Sequence, residues 1–354
     1  MKTKKYIPLS AFALVCFFAL SFASCSRCEP DIPRGSEGSG NLVAMLRGSQ
    51  GNALDGTGDN VIYSIRMLVF CNDDGTLIDQ KLFTRPSAGW DDIDIEMEDM
   101  PTGGPLDIRM IANEASGTTL AFDMTAALDA VSDLDDLYAI RTGIRTAPIV
   151  YGDIEDMGLL MTGGVDNETI AAGGSTVPIS LTHLTARIDV VVVDGVTGVM
   201  PSGYGVNLSA AILHRASGFS YLFCNADILF GERAEFSQGW DVFFGDPPLP
   251  DRPNNSDRWI FPSMYLYENL LGNATLERTY LLLSFNGTGA TADPFFQISV
   301  DINGHLPIGR YLIQRGQHTT ITVNVWYPVE DKDSFTRTAT TPSWTVEISQ
   351  KPMN

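Results

Sequence analysis

The chain has 354 residues, with 23 basic against 43 acidic side chains, so its net charge is −20. Such an acidic surface repels phosphate backbones, which argues against nucleic-acid binding and against docking by charge onto anionic lipid. Aromatic and β-branched residues are plentiful while helical patterns are scarce, so we expect a mainly β protein. The length allows two domains with their own cores.

The N-terminus predicts export. A lysine-rich start precedes an apolar run at residues 7–22, which is rather short for a spanning helix and is followed by small residues. This pattern favours a signal peptide, residues 1–24, over a membrane anchor. Ala23 and Ser24 directly precede Cys25, as in a bacterial lipobox, so we expect a lipid on Cys25. The alternative is an ordinary secretory signal followed by a chance cysteine.

Residues 25–40 are rich in proline and glycine and predict a disordered tether. Two apolar runs follow, at residues 41–47 and 61–71, joined by a polar loop with four glycines between them. The second run predicts a central strand that turns back through a hairpin at residues 72–75. The first run predicts a strand that could pair with its own domain or be replaced.

The next segments alternate between strand and helix patterns. Residues 92–98 alternate apolar and acidic side chains, which is typical of a half-exposed strand. Apolar residues then recur every three or four positions between 118 and 138, which predicts an amphipathic helix or helix pair. Further predicted strands are 107–112, 157–162 and 176–181.

A second unit is predicted to begin at Leu184 with the most β-prone run of the chain. Its strands are predicted at 184–193, 205–214, 279–285, 295–302, 318–325 and 344–349, with a long proline-rich loop at 243–258. Strands this short and numerous favour two antiparallel β-sandwiches over a parallel sheet. We therefore assign residues 41–183 to an N-terminal domain and 184–354 to a C-terminal domain.

The order of these features resembles the fimbrillins, the type V pilin subunits of Bacteroidales. The resemblance rests on the lipobox, the first strand with its loop, and a series of segments along the chain. They are Ser64-Ile-Arg-Met-Leu-Val-Phe-Cys-Asn-Asp-Asp-Gly-Thr-Leu77, Ile108-Arg-Met-Ile-Ala-Asn-Glu114, Gly158-Leu-Leu-Met-Thr162, Leu184-Thr-Ala-Arg-Ile-Asp189, Arg315-Gly-Gln-His-Thr-Thr-Ile-Thr-Val323 and Trp344-Thr-Val-Glu-Ile348.

The resemblance implies two transthyretin-like β-sandwich domains and a structural role in surface fimbriae. It also implies a lipoprotein carried to the outer membrane, whose N-terminal segment an arginine-specific, trypsin-like protease removes. A strand from a neighbouring subunit then fills the groove. Leu42, Ala44 and Leu46 would form one face of the removable strand, while Trp344, Val346 and Ile348 would form the donor face. Residues 344–349 could equally be the last strand of their own domain.

The sequence departs from the family at the cleavage site. In polymerising fimbrillins the cut follows an arginine late in the loop, near residues 51–54 here, and this chain has no arginine there. The nearest is Arg47, at the end of the first strand. Without cleavage the protein would keep its lipid and its own strand, and would serve as an anchor or tip subunit. A cut at Arg34 would remove the lipid without opening the groove.

No enzyme motif is present, and we expect no cofactor and no metal. The four histidines are scattered without a zinc-protease spacing, and the sequence has no nucleophile elbow, phosphate loop or dinucleotide fingerprint. The acids between 91 and 99 could suggest calcium, but their alternation favours a solvated strand face. Residues 55–60 form a loose acidic loop without the closing glutamate of an EF-hand. For Cys71 and Cys224, buried thiols are favoured over a disulfide.

Two functional hypotheses from different classes therefore stand. The first is a fimbrial subunit, as stalk, tip or anchor. The second is a monomeric surface lipoprotein that binds glycan or protein through exposed aromatic side chains, although these residues are more typical of a sandwich core. They are Trp240, Trp259, Tyr265 and Tyr267.

Overall fold

The computed structural model describes fourteen stretches of the chain. These are residues 39–48, 58–85, 94–114, 124–143, 149–150, 158–194, 205–223, 240–243, 258–261, 263–268, 279–288, 296–301, 313–326 and 343–353. Cys25, Arg34, Cys224 and His305 lie outside them, as do residues 49–57.

Strands dominate the described residues. The first half contains β1 (Ser39–Gly48), a 3-10 turn (Gly58–Asn60), β2 (Ser64–Cys71), β3 (Leu77–Thr84), β4 (Asp94–Pro101), β5 (Pro105–Ala112), α1 (Thr125–Asp129), α2 (Leu134–Ala139), β6 (Ile149–Val150), β7 (Met161–Thr169) and β8 (Ser175–His183). The second half contains β9 (Thr185–Asp194), β10 (Gly205–Ala216), β11 (Trp240–Phe243), β12 (Arg258–Ile260), β13 (Met264–Tyr267), β14 (Tyr280–Thr288), β15 (Phe296–Asp301), β16 (Gln317–Trp326) and β17 (Ser343–Pro352).

The first sandwich is one folded sheet with the strand order β3-β2-β5-β7-β8-β1-β4. The ladder between β7 and β8 joins only Met161 and Thr162 to His183 and Thr182, so the sheet turns there into two layers. The inward side chains of both layers form one apolar core, as the strand alternation predicts. In β4, for example, Ile95 is buried while Glu96 is exposed.

The second sandwich packs the sheet β11-β10-β14-β15 against the sheet β17-β16-β9-β13-β6, and β12 also pairs with β9. Apolar residues of β9 and β16 from one sheet, and of β10 and β14 from the other, share a core. The prediction of a mainly β fold built from sandwiches, with a short helical segment in the first half, is confirmed.

A third apolar cluster joins the two sandwiches. It combines Phe70 of β2 and Leu137 of α2 with Leu222, Tyr265 and Met353 from the second half. Residues 149–150 also add a strand, β6, to the second sandwich by pairing with β13. The assignment of 41–183 and 184–354 to separate domains stays a prediction. Residues 149–150 belong to the first domain in that assignment, although they pair with a strand of the second sandwich.

The predicted helix between 118 and 138 is a pair of short helices within the described residues. Asp133 caps α2, because its side chain accepts a hydrogen bond from the backbone N–H of Asp136. The strand predicted at 157–162 begins only at Met161. Gly158 has a φ of +65°, and Asn113 Nδ2 donates to the Leu159 carbonyl at 2.8 Å, so the backbone before Met161 is not free to join a ladder.

Within the described ranges, no helix has both the length and the apolar character needed to cross a membrane.

Candidate strand-exchange groove

The strand β1 lies inside a sheet, between two neighbours of opposite direction. It runs parallel to β8, with Ala44 opposite Val177, and antiparallel to β4, with Ala44 opposite Ile95. In the described part of the chain, β4 has no strand partner other than β1. The first strand therefore connects β4 to the rest of the sheet.

The inward face of β1 fills the core of the first sandwich. Leu42 and Ala44 are fully buried and Leu46 is 6% exposed, and all three belong to the apolar cluster of that sandwich. Burial of each of the two leucine side chains contributes about 1.5–3 kcal/mol. These three residues are the ones that the sequence assigns to a single face.

Polar contacts hold the outward face of β1 to β4. Asn41 Nδ2 donates to Glu96 Oε1 at 2.7 Å, and Ser39 Oγ donates to Asp99 Oδ1 at 3.1 Å. Val43 and Met45 follow on the same side of the strand and are half-buried. The acidic face predicted for residues 92–98 thus borders the outward face of β1.

The start of β1 is closely fitted at Gly40. A Cβ atom at this position would lie 2.3 Å from the carbonyl oxygen of Ala171, a contact that no side chain can make without a backbone shift. The pairing of β1 with β4 also shifts register between Gly40 and Leu42. Nothing in the sequence pattern marks this glycine as different from those around it.

The predicted cleavage residue lies inside the ladder. Arg47 is opposite Ser180 of β8 and Gly48 is opposite Leu181, whereas the pairing with β4 ends at Met45. The Arg47–Gly48 peptide bond is therefore part of β1 and has a strand partner on one side. Whether it is cut remains a prediction.

The chain from Gly58 onward is fixed by a group of contacts that the sequence did not predict, here called the Asp59 anchor. Tyr265 donates from its hydroxyl to Asp59 Oδ1 at 2.5 Å, and Arg187 Nη1 donates to Asp59 Oδ2 at 3.1 Å. His183 Nε2 donates to the Asp59 carbonyl oxygen at 2.8 Å. The anchor thus joins the 3-10 turn to β8, β9 and β13.

The environment of the Asp59 anchor changes two pKa values. Burial lowers the pKa of His183, although its hydrogen bond to Asp59 opposes the shift. Burial raises the pKa of Tyr265, and the neighbouring Asp59 carboxylate raises it further. Both groups are therefore neutral near pH 7, so the charged pair of the anchor is Asp59 with Arg187.

The same network continues along β9 to β16. Arg187 Nε donates to Asp189 Oδ1 at 3.2 Å, and His318 Nε2 lies 2.7 Å from Asp189 Oδ2. Burial opposes ionisation of Asp189, but hydrogen bonds from Ser263, Arg187 and His318 outweigh it and lower its pKa. No sequence motif predicts this network, because its members come from β9, from β16 and from Ser263 just before β13.

The candidate donor strand β17 lies at the edge of its own sheet. It pairs antiparallel with β16 along its whole length, from Ser343 opposite Trp326 to Pro352 opposite Gln317. Val346 and Ile348 pack against the core of the second sandwich and are half-buried, whereas Thr345 and Glu347 are exposed. In this structure β17 is the last strand of its own sandwich, and its role as a donor stays a prediction.

The aromatic residues considered for glycan binding do not form a surface platform. Trp259, Tyr265 and Tyr267 are all buried, as the sandwich-core alternative predicts. Trp240 belongs to β11 and is opposite Ala216 of β10. Three of the four residues proposed for a glycan site are therefore in the interior and not at the surface.

The remaining candidate residues have structural surroundings. Cys71 is a free thiol but is only half-buried, so the expectation of a buried thiol is wrong for it, because it ends β2 next to an exposed turn. His214 stacks on Tyr280 with ring centroids 4.5 Å apart. The described residues contain no cluster of three or more metal-ligating side chains.

These features define a class of protein, namely two β-sandwiches in which the first described strand lies in the interior of a sheet. Residues 41–209 match the family model described as "Major fimbrial subunit protein (FimA)". This segment, which begins within β1 and ends within β10, belongs to the fimbrillin family. The family consists of fimbrial structural subunits and not of enzymes, and its place is in fimbriae at the cell surface.

Solved structures share the fold. A proposed cell adhesion protein from Bacteroides eggerthii is 17% identical with a TM-score of 0.57, and the match covers 89% of this chain and 96% of that one. The tip fimbrial protein Mfa3 from Porphyromonas gingivalis, solved with a C-terminal truncation, is 17% identical with a TM-score of 0.55, and the match covers 89% and 99%. The fimbrilin FimA from Porphyromonas gingivalis is 13% identical with a TM-score of 0.52, and the match covers 90% and 98%.

Comparison with curated proteins returns no match. At these identities the solved structures support the fold alone.

Proposed function

We propose that the protein is a fimbrial subunit that is exported as a lipoprotein and joins its neighbours by strand exchange. In this proposal Cys25 carries the lipid that holds the protein at the outer membrane. An arginine-specific protease cuts after Arg47, β1 leaves, and a strand from another fimbrial subunit takes its place. In turn, β17 with Trp344, Val346 and Ile348 is the strand that this chain offers to a neighbour.

The position of β1 carries the proposal. Loss of β1 would leave β4 and β8 with unpaired backbone N–H and C=O groups on facing edges, and an apolar slot between them. An incoming strand satisfies both needs at once, which is the basis of recognition by strand addition. Two buried leucine side chains at about 1.5–3 kcal/mol each, together with ladder hydrogen bonds at about 1 kcal/mol each, favour replacement before ordering costs are subtracted.

Exchange can be tested on the full chain. The protein is cut with trypsin, the protease is inhibited, and a labelled peptide of residues 39–48 is added. We expect the peptide to displace the N-terminal fragment, and mass spectrometry should find a new N-terminus at Gly48. The variant Arg47→Ala should neither be cut there nor take up the peptide, whereas Arg34→Ala should behave as the parent does. A cut chain that retains its own fragment and excludes the peptide would contradict strand exchange.

Lipidation is tested separately by labelling cells with a palmitate analogue. We expect Cys25→Ser to lose the label and the outer-membrane location. The matched variant Cys28→Ser should keep both. Labelled Cys25→Ser protein would show that the lipid is attached elsewhere.

A second candidate function is an uncut anchor or tip subunit, which keeps β1. One observation favours it: the Arg47–Gly48 bond lies within the ladder to β8, whereas a protease needs its substrate in an accessible extended segment. The mature N-terminus in native cells separates the two candidates. An acylated Cys25 identifies the uncut subunit, and a start at Gly48 identifies the exchanging one.

A further inference from the structure

The groove of β1 imposes three requirements on any strand that replaces it. The first is at position 40, where a Cβ atom would lie 2.3 Å from the Ala171 carbonyl oxygen. A strand that enters the groove along its full length therefore needs glycine there. Proline is worse than other residues, because it also removes a backbone donor.

The second requirement is at position 44. Ala44 is fully buried and lies between Ile95 on one flank and Val177 on the other. Because protein cores are close-packed, extra methyl groups at this position displace their neighbours. The groove thus takes large apolar residues at positions 42 and 46 but a small one between them.

The third requirement concerns charge on the outward face. Glu96 of β4 is opposite position 43, and Asp94 is opposite position 45. In β1 these positions hold the neutral residues Val43 and Met45, while Asn41 donates a hydrogen bond to Glu96. Like charges on facing strands repel, so an acid at position 43 or 45 opposes binding and a base favours it.

The C-terminal strand of a second copy fails all three requirements. If Trp344, Val346 and Ile348 take positions 42, 44 and 46, then Pro342 falls at position 40 and Glu347 at position 45. Val346 is then larger than the alanine that it replaces. In the reverse direction, Gln350 falls at position 40, and Glu347 falls at position 43, opposite Glu96.

We propose that the groove of β1 accepts a strand from a different protein chain and rejects the C-terminal strand of a second copy. The accepted strand has glycine, an apolar residue, a small residue and an apolar residue at alternate positions, with neutral or basic residues between them. This inference rests on the proposed strand exchange. It assigns the chain to a point in the fimbria where unlike subunits meet.

The test uses the full chain cut by trypsin after Arg47, or after an arginine introduced by Asn52→Arg if that bond resists. Three labelled peptides compete for the groove: residues 39–48, residues 340–350, and residues 340–350 carrying Pro342→Gly, Val346→Ala and Glu347→Lys. We expect the native C-terminal peptide to bind at least about twenty-five-fold more weakly than 39–48, since crowding and like charge each contribute about a factor of five or more. The triply changed peptide should recover most of that loss.

A charge reversal in the groove isolates the third requirement. The acid opposite Glu347 is Asp94 in the first direction and Glu96 in the reverse direction, so Asp94→Lys and Glu96→Lys are each measured in the full chain. The variant that reverses the facing charge should strengthen binding of the native 340–350 peptide by about fivefold and weaken binding of the triply changed peptide. The matched variant Asp79→Lys places the same change on an exposed position of β3 and should alter neither.

The outcomes distinguish a failure of this inference from a failure of the proposed strand exchange. If native 340–350 competes as well as 39–48, or if the cut protein assembles into ladders of its own copies, the inference is overturned while strand exchange stands. If no peptide enters the groove, including 39–48, strand exchange itself fails and the inference fails with it.

Discussion

The first and last strands of this chain differ in how their sheets hold them. β1 has a partner on each side and places two fully buried side chains in its core. β17 has one described partner, β16, and its inward residues Val346 and Ile348 are only half-buried. Removal of β1 therefore opens a slot with two edges, whereas removal of β17 only moves the edge of a sheet to β16.

The two strands also differ in how they are attached. The Asp59 anchor lies downstream of β1 in the sequence, so a cut between β1 and Asp59 leaves the anchor in place. The end of β17 is fixed directly, because the Met353 N–H donates to the Gly316 carbonyl at 2.6 Å and its side chain joins the cluster between the sandwiches. A buried strand that one cut can separate from the anchored chain suits a placeholder, and an edge strand suits a donor.

The largest effect should come from truncating a buried side chain of β1. We expect Leu42→Ala to lower the free energy of unfolding by about 2–5 kcal/mol, because it leaves a cavity in a closed core. The matched change Val346→Ala in β17 should cost about 1 kcal/mol, since that residue is half-buried. Urea unfolding measures both, and equal losses would contradict the distinction between interior and edge.

The next effect tests the Asp59 anchor. Asp59→Ala removes the carboxylate that Arg187 and Tyr265 share, and should cost about 2 kcal/mol, a typical value for hydrogen bonds to charged groups. Hydrogen exchange should show loosening in β9 and β13, while β4 keeps its protection. Asp79→Ala, an exposed acid of β3, is the control and should change little. Loss of β4 protection in Asp59→Ala would mean that the anchor also holds β1.

A smaller effect is expected at the start of β1. Gly40→Ala should destabilise the first sandwich by about 1–2 kcal/mol, because the new Cβ atom meets the Ala171 carbonyl. Gly173→Ala has open space and should change stability by less than about 0.5 kcal/mol. The difference between their thermal midpoints measures the fit of β1, and identical midpoints would show that the strand start can shift freely.

The smallest effect is a dependence on pH. The folded pKa of His183 lies below its ordinary value of 6.5, so the unfolded chain takes up a proton first as the pH falls. The stability that neutral, buried His183 contributes is therefore fully present above about pH 6.5, and it is lost as the pH falls from there towards the folded pKa. His183→Gln should remove this part of the decline, and His214→Gln should not. Unfolding free energies measured between about pH 7.5 and 5 give the comparison.

Much of the candidate site follows from local patterns. The alternation of residues 41–47 predicts which side chains of β1 face inward, because side-chain direction in a strand has a period of two. The same rule predicts the exposed face of β4. The Asp59 anchor could not be predicted in this way, since its members are far apart in the sequence and meet only when three strands and a turn are assembled.

The sequence by itself determined the strands, their inward and outward faces, the short helices and the family resemblance, because each depends on residues close together in the chain. The tertiary structure alone decided that β1 lies parallel to β8 and between it and β4. It also decided that Arg47 is inside a ladder and that Gly40 touches the Ala171 carbonyl. Strand order is set by pairing between distant segments, and several orders can satisfy the same local alternation.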